Sequence, residues 1–358
     1  MDKALAHDYT VEIRYLGTRG VNLPAQIRLN SASVVTSANS LPTYLTAPTR
    51  ADLDALPLTL GQLQAQAAAQ RNSLAPYGFG QFLTAFMPIG NSSYNGLAVQ
   101  VNKRCAHHLQ FVSSYTWSHN MDDGTAAVFS TLIQPRRPQD FQDYSAERAT
   151  SGLDRRQRFS MSWLYDTPWF SRNPNRILRH VLGNYTVSGT YIAESLMLAT
   201  VQSGIDSNLN GDSAGDRVIV NPAGTDRTGS DATPLTNSSG SVVAYLATNP
   251  DARYIVAQQG AYANGGRSTL PLRGINNFDL SFDKRIQVTE HKLIEFRAEM
   301  YNAFNHSQFT PGLIDNAYLQ TRTDTRNYLI PSNISFNDPE SAFGNNARTI
   351  QFVLRFRF

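Results

Sequence analysis

The chain ends Ala347-Arg348-Thr349-Ile350-Gln351-Phe352-Val353-Leu354-Arg355-Phe356-Arg357-Phe358, and the alternation in this stretch decides the fold. In an extended strand successive side chains point to opposite faces. One face therefore carries Ile350, Phe352, Leu354, Phe356 and Phe358, and the other Thr349, Gln351, Val353, Arg355 and Arg357. A period of two over this length argues a β-strand with one apolar and one polar face. About ten residues is also the length that carries a tilted strand across a bilayer.

The preceding segment, 291–304, repeats the pattern. Ile294, Phe296, Ala298 and Met300 share one face, and Glu295, Arg297 and Glu299 share the other. A basic side chain at mid-bilayer on a lipid face costs roughly 2–4 kcal/mol, and an acid somewhat less. In a membrane strand these three charges are therefore expected to face a wet lumen while the aliphatic row faces lipid.

Six more segments alternate in the same way. Their apolar-side rows are Tyr9 to Tyr15, Leu97 to Val101, Leu109 to Trp117, Phe159 to Tyr165, Tyr185 to Tyr191 and Phe278 to Phe282. Tyr9, Tyr15, Tyr115, Trp117, Tyr165 and Tyr185 fall near strand ends, where interfacial girdles of a membrane barrel lie. The connections alternate in length. Residues 104–108 and 286–290 are tight turns, and 167–184 is a longer turn on the same side. Residues 17–92, 119–156, 196–275 and 305–348 are long and polar. Short periplasmic turns and long extracellular loops are the rule for such barrels. Within the first long loop, 51–71 reads as a short helix.

Composition agrees. Charged residues make up 16% of the 358, against about a quarter in soluble domains. Mean hydropathy is −0.34 and no apolar run reaches the length of a membrane helix. Only helices and closed barrels satisfy their backbone within lipid, so a membrane protein of this composition is a β-barrel. The expected class is all-β: an antiparallel transmembrane β-barrel of roughly eight strands. Net charge is +3 with no basic stripe, which argues against nucleic acid as a partner. The single cysteine, Cys105, excludes an internal disulfide and a zinc cluster of the cysteine type. The start, MDKALAHDYTVEIRY, has no apolar core of a signal peptide.

The phrases SYNGLAVQVNKR, FVSSYTWSHNMDDG, SGLDRRQRFSMSWLYDTPW, LRGINNFDLSFDKRI, FRAEMYNAFNHSQF and FVLRFRF resemble the barrel of Oar-like TonB-dependent outer-membrane transporters, from about Tyr9 onward. The resemblance implies residence in the cell outer membrane and a larger barrel, with a plug domain and an energy-coupling box N-terminal to the segment seen here. Residues 1–358 would then be a C-terminal barrel segment. The implied partners are outer-membrane lipid, the barrel-assembly machinery, the TonB system acting through the plug, and a transported ligand that the sequence does not identify. Ile350, Phe352, Leu354, Phe356 and Phe358 also resemble the terminal signal read by the assembly machinery; the same row is equally a lipid-facing strand face.

Several residues invite chemistry. Asp206, Asn208, Asn210 and Asp212, with Gly211 at the sixth position, resemble the start of a calcium loop. Arg217 stands where the loop's last carboxylate belongs, and the other reading is a polar turn. Cys105, His107 and His108 lie together but lack a fourth metal ligand, which favours a plain turn. His119, Asp122 and Asp123 follow Trp117 and are accounted for by the resemblance. Glu295, Arg297 and Glu299 have no nucleophile beside them and read as a structural ladder. Residues 140–158 mix acids with Arg148, Arg155, Arg156 and Arg158, as a solvated loop or a lipopolysaccharide contact. No nucleophile elbow, phosphate loop, zinc-protease or dinucleotide motif occurs, and no enzyme or cofactor is expected. The expected role is uptake of a large nutrient. The alternatives are a self-contained small barrel, pore or structural, and a soluble β-rich binding module.

Overall fold

The computed structural model describes residues 2–6, 8–70, 74–125, 131, 133–309 and 328–358. Nine strands follow one another in a single antiparallel sheet: β1 (Asp2–Ala6), β2 (Tyr9–Arg28), β3 (Thr84–Ala106), β4 (Leu109–Asp122), β5 (Gln157–Asp166), β6 (Tyr185–Glu194), β7 (Ile275–Gln287), β8 (Leu293–Tyr301) and β9 (Thr349–Arg357). Each pairs with its sequence neighbours, and the short segment Ala149–Thr150 adds to the far end of β4. All eight expected strands are present; β1 is an addition that alternation over five residues could not announce.

Register makes the two faces continuous. Tyr165 pairs with Val187, Val187 with Phe282, Phe282 with Ala298, and Ala298 with Phe352. Toward the other edge Tyr165 pairs with Leu109, Tyr115 with Val99, and Val99 with Ile13. Paired residues share a face, so one apolar face runs across β2 to β9. It is open: Phe352 is 68% exposed, Leu354 75% and Tyr15 69%. The polar rows pair with equal consistency, as in Gln110–Leu164–Ser188–Ser281–Glu299–Gln351. A shift of one residue would exchange the apolar rows for polar ones, such as Gln110, Ser188 and Glu299, and that fixes the register.

The turn between β3 and β4 is two residues, His107 and His108, with φ of 52° and 66°. Two successive positive φ angles are the type I′ geometry whose twist matches the flanking strands. Gly189 of β6 marks a close approach. A Cβ there would lie 2.7 Å from the Asp279 carbonyl and 3.1 Å from the Trp163 ring.

The hydrophobic core lies in the long connections. Strands β2 and β3 extend well past the sheet's other strands, so the first connection shortens to 29–83. The expected single helix over 51–71 is two, α1 (Arg50–Asp54) and α2 (Leu60–Gln70), with residue 71 outside the described residues. Pro57 falls between them, and it restricts the residue before it to extended backbone. Each helix starts at its own threonine: Thr49 with Asp52, and Thr59 with Gln62. Val34, Leu41 and Leu63 pack with Leu209, Tyr245 and Ile255, which joins the first connection to the third. Ile133, Val201, Val218, Leu270, Phe309 and Leu329 form a second core that joins the second, third and fourth connections. Segments that read as polar loops are thus a folded cap over one rim of the sheet. Two of its small pairings are parallel, Thr43–Tyr44 with Tyr245–Leu246 and Thr225–Ser230 with Ala252–Ile255.

Candidate functional site

Two places could do chemistry or bind: the polar face of the sheet and the polar interior of the cap. On the polar face β7, β8 and β9 bring charges together by register. Asp283 pairs with Arg297, Arg285 with Glu295, and Glu295 with Arg355. Arg297 reaches Glu295 at 2.7 Å and both Glu299 and Asp283 at 3.3 Å. Glu295 also faces Arg355 at 3.7 Å and Arg357 at 3.8 Å. Asp283, Glu295 and Glu299 each have a guanidinium partner. The ladder is an electrostatic lining.

Further along this face the side chains shrink. Ser162, Ser188, Thr190 and Ser281 line a cleft of about 400 Å³ with Gln110, Asp279 and Glu299. Ser114 and Ser160 share a hydrogen bond of 2.8 Å. Small hydroxyls beside charges make a surface that water wets readily.

In the cap, Arg267 is the hub. It donates to Asp122 at 2.7 Å and to the Glu147 carbonyl at 2.7 Å, and its Nε lies 3.9 Å from the Glu147 carboxylate. Arg217 pairs with the same Glu147. All four side chains are buried. Burial pushes the Arg217 guanidinium below its ordinary value, and Glu147 works against that shift. Arg137 is pushed down to about 10 by burial, opposed by Asp212 at 2.6 Å. The sequence gives little sign of this network, because its partners lie up to 145 positions apart.

The 206–216 segment sits inside the cap. Asn208, Asn210, Asp212 and Asp216 are all buried. Asp206 accepts from the Gly211 amide at 2.8 Å, Asn208 from Asn210 at 3.0 Å, Asn210 from Asp212 at 2.8 Å, and Asp212 from Ala214 at 3.1 Å. Asp212 also meets Arg28 at 3.0 Å as well as Arg137. Oxygens that calcium would need are thus engaged by amides, and the Asp212 charge is balanced by two guanidiniums. Among the described residues no three His, Cys, Asp or Glu side chains are placed to hold a metal ion. Asp216 is fully buried, and its carboxyl is raised well above the usual range by burial and by the nearby Asp206.

The other candidates separate. The Cys105 side chain lies outside the described residues, and His107 and His108 form the turn. His119 contacts the Thr150 hydroxyl at 3.4 Å, Asp122 belongs to the Arg267 network, and Asp123 pairs with Arg148 at 3.0 Å. Arg155 and Arg158 both meet Glu194, at 3.2 and 3.0 Å, and Arg156 lies 3.6 Å from Asp154. Ile350, Phe352, Leu354, Phe356 and Phe358 are exposed, the first four on the apolar face of β9.

A family model described as an outer membrane beta barrel domain matches residues 1–351. No curated protein matches the chain. Among solved structures, the outer membrane transporter YddB from Escherichia coli aligns with a TM-score of 0.35 and 6% identity. The alignment covers 86% of this chain and 28% of that one.

Proposed function

Since the chain belongs to the outer membrane beta barrel domain family, and so resides in the outer membrane, we propose that it forms one arc of a larger transport barrel of the TonB-dependent receptor kind. The short-turn rim then faces the periplasm and the cap faces outward. The ladder of Asp283, Glu295, Arg297 and Glu299 lines the lumen. The cap carries the surface that meets the ligand, a large nutrient taken up without being chemically changed.

One observation carries this reading. Among the described residues, β1 and β9 each pair on one side only, and no pairing joins them. Lipid leaves no water to satisfy an open strand edge, so the arc needs further strands. The Oar-like phrases of the sequence point the same way, and that resemblance implies coupling to TonB through a plug domain.

A self-contained barrel is the competing reading. Expression of the 358 residues alone, followed by extraction of outer membranes, separates the two. A larger barrel predicts no heat-modifiable, protease-resistant band from this chain alone, and such a band when the remaining strands are supplied. A heat-modifiable band from the 358 residues alone would replace the arc by an autonomous barrel.

A further inference from the structure

Helix α3 (Arg176–Leu182) lies in the longest connection of the short-turn rim, between β5 and β6. Asn175 caps it by accepting from the Ile177 and Leu178 amides at 2.9 and 3.3 Å. At 100° per residue, Ile177, Leu178, Val181 and Leu182 form one stripe, and Arg179 and His180 fall opposite. The apolar stripe is exposed: Ile177 at 72%, Val181 at 55%. Trp169 and Phe170, just before the helix, are exposed as well.

The position of α3 is decided by what holds it. Lys284 and Tyr185 both stand on the apolar face of the sheet. Lys284 donates to the carbonyls of Val181 and Gly183, and the Tyr185 hydroxyl donates to Val181 at 2.9 Å. Tyr165, on the same face, meets the Trp169 ring edge-on at 6.1 Å. The helix is therefore tied to the lipid side of the wall and does not cross the lumen.

We propose that α3, with Trp169 and Phe170, is an interfacial anchor seated in the periplasmic leaflet of the outer membrane, its occupant the phospholipid itself. Its apolar stripe continues the lipid-facing surface of the wall. Residues 167–184 hold Arg172, Arg176 and Arg179 and no acid, which complements anionic headgroups. An amphipathic helix with aromatic neighbours and a basic polar side, here Arg179 and His180, partitions at this depth. The inference rests on the apolar face being the lipid face.

The test uses the chain with Cys105→Ser and one new cysteine labelled with an environment-sensitive dye, assembled together with the remaining strands of the barrel in phosphatidylethanolamine–phosphatidylglycerol bilayers. Four sites are compared: Ile177→Cys, Leu182→Cys, Leu354→Cys on the wall, and Ile334→Cys, which is 94% exposed in the last long connection. The anchor predicts that labels at 177 and 182 are quenched several-fold more by a shallow spin-labelled phospholipid than the label at 334. It also predicts several-fold protection from aqueous iodide at those two sites. Iodide access equal to that at 334 overturns the anchor. Protection from both quenchers also overturns it, because protein then covers the stripe. A label at 354 that lipid fails to quench means the wall is not in the bilayer, and the larger reading fails together with this one.

Discussion

Lys284 stands directly across the β6–β7 pair from Tyr185, with Nζ 4.1 Å from the centre of the ring. Lys103 and Tyr9 repeat the arrangement on β2 and β3, at 5.5 Å. Both lysines belong to the apolar face at the short-turn rim. Each turns its ammonium onto carbonyls of the adjoining connection: Lys103 onto Ala106 at 2.7 Å and Leu109 at 3.2 Å, Lys284 onto Val181 and Gly183. A long aliphatic stem can lie along lipid while the charge reaches the interface. Lys284→Met removes the donor and keeps the stem. It is expected to cost about 1.5–3 kcal/mol, the range for hydrogen bonds to charged groups. Tyr185→Phe keeps the ring and removes only the hydroxyl that donates to Val181, and is expected to cost less, about 0.5–1.5 kcal/mol for a neutral hydrogen bond. Urea midpoints of the barrel assembled with its remaining strands in detergent measure both, and a smaller loss for Lys284→Met than for Tyr185→Phe would contradict the ammonium–carbonyl contacts as the stronger ones.

Arg267→Met should open the cap and leave the wall standing. The change strands Asp122 and Glu147 without one of their guanidiniums inside a buried cluster, and breaking such a cluster costs about 3–5 kcal/mol. Limited proteolysis of the barrel assembled with its remaining strands is expected to cut within 123–156 and 195–274 in the variant, with heat-modifiable migration preserved. Equal resistance of variant and parent would show that Arg267 does not hold the cap.

Asp216 sets a pH dependence. Its carboxyl is raised by burial and by Asp206, with a further push from Asp212 and a partial offset from Arg217 and the Ser207 amide. A raised folded pKa means that the folded cap binds a proton which the unfolded chain releases. Stability is then full below the unfolded value, near 4, and falls as pH rises toward the folded one. Asp216→Asn keeps an acceptor for Ser207 and removes the proton, so the melting temperature of the cap should lose this downward slope. An unchanged slope in the variant would assign the effect to another group.

The charge ladder on the polar face is expected to contribute little to stability. Arg297 is 33% exposed on a wetted face, and exposed pairs are worth at most about 1 kcal/mol. Arg297→Met should lower the unfolding midpoint slightly at low salt, and less at high salt, because screening already weakens the pairs it removes. A large, salt-independent loss would mean that the ladder is dry.

Chelation of divalent cations should leave the cap unchanged, because Arg28 and Arg137 already balance Asp212. Calorimetry with a calcium chelator and with added calcium reads this directly. A rise in melting temperature on adding calcium would show that the 206–216 oxygens exchange their amide partners for the ion.

The sequence by itself determined the wall. A period of two is local: each strand states in its own residues which face meets an apolar medium, and the row from Ile350 to Phe356 needs no partner to state it. It also determined which connections are short. What only the tertiary structure decided is where the polar segments go. Asn208, Asn210 and Asp216 look like a solvated turn because hydrophilicity predicts exposure one residue at a time. Burial becomes tolerable only when donors from distant segments arrive, as Arg28 and Arg137 do at Asp212 and as Arg267 does at Asp122. The cap's core likewise joins Leu41 and Leu63 to Tyr245 and Ile255 across some two hundred positions. Such contacts leave no period in the chain, since irregular segments have no repeat to align. The placement of α3 has the same origin: its stripe is legible in the sequence, but the side of the wall on which it lies was settled by Lys284, Tyr185 and Tyr165.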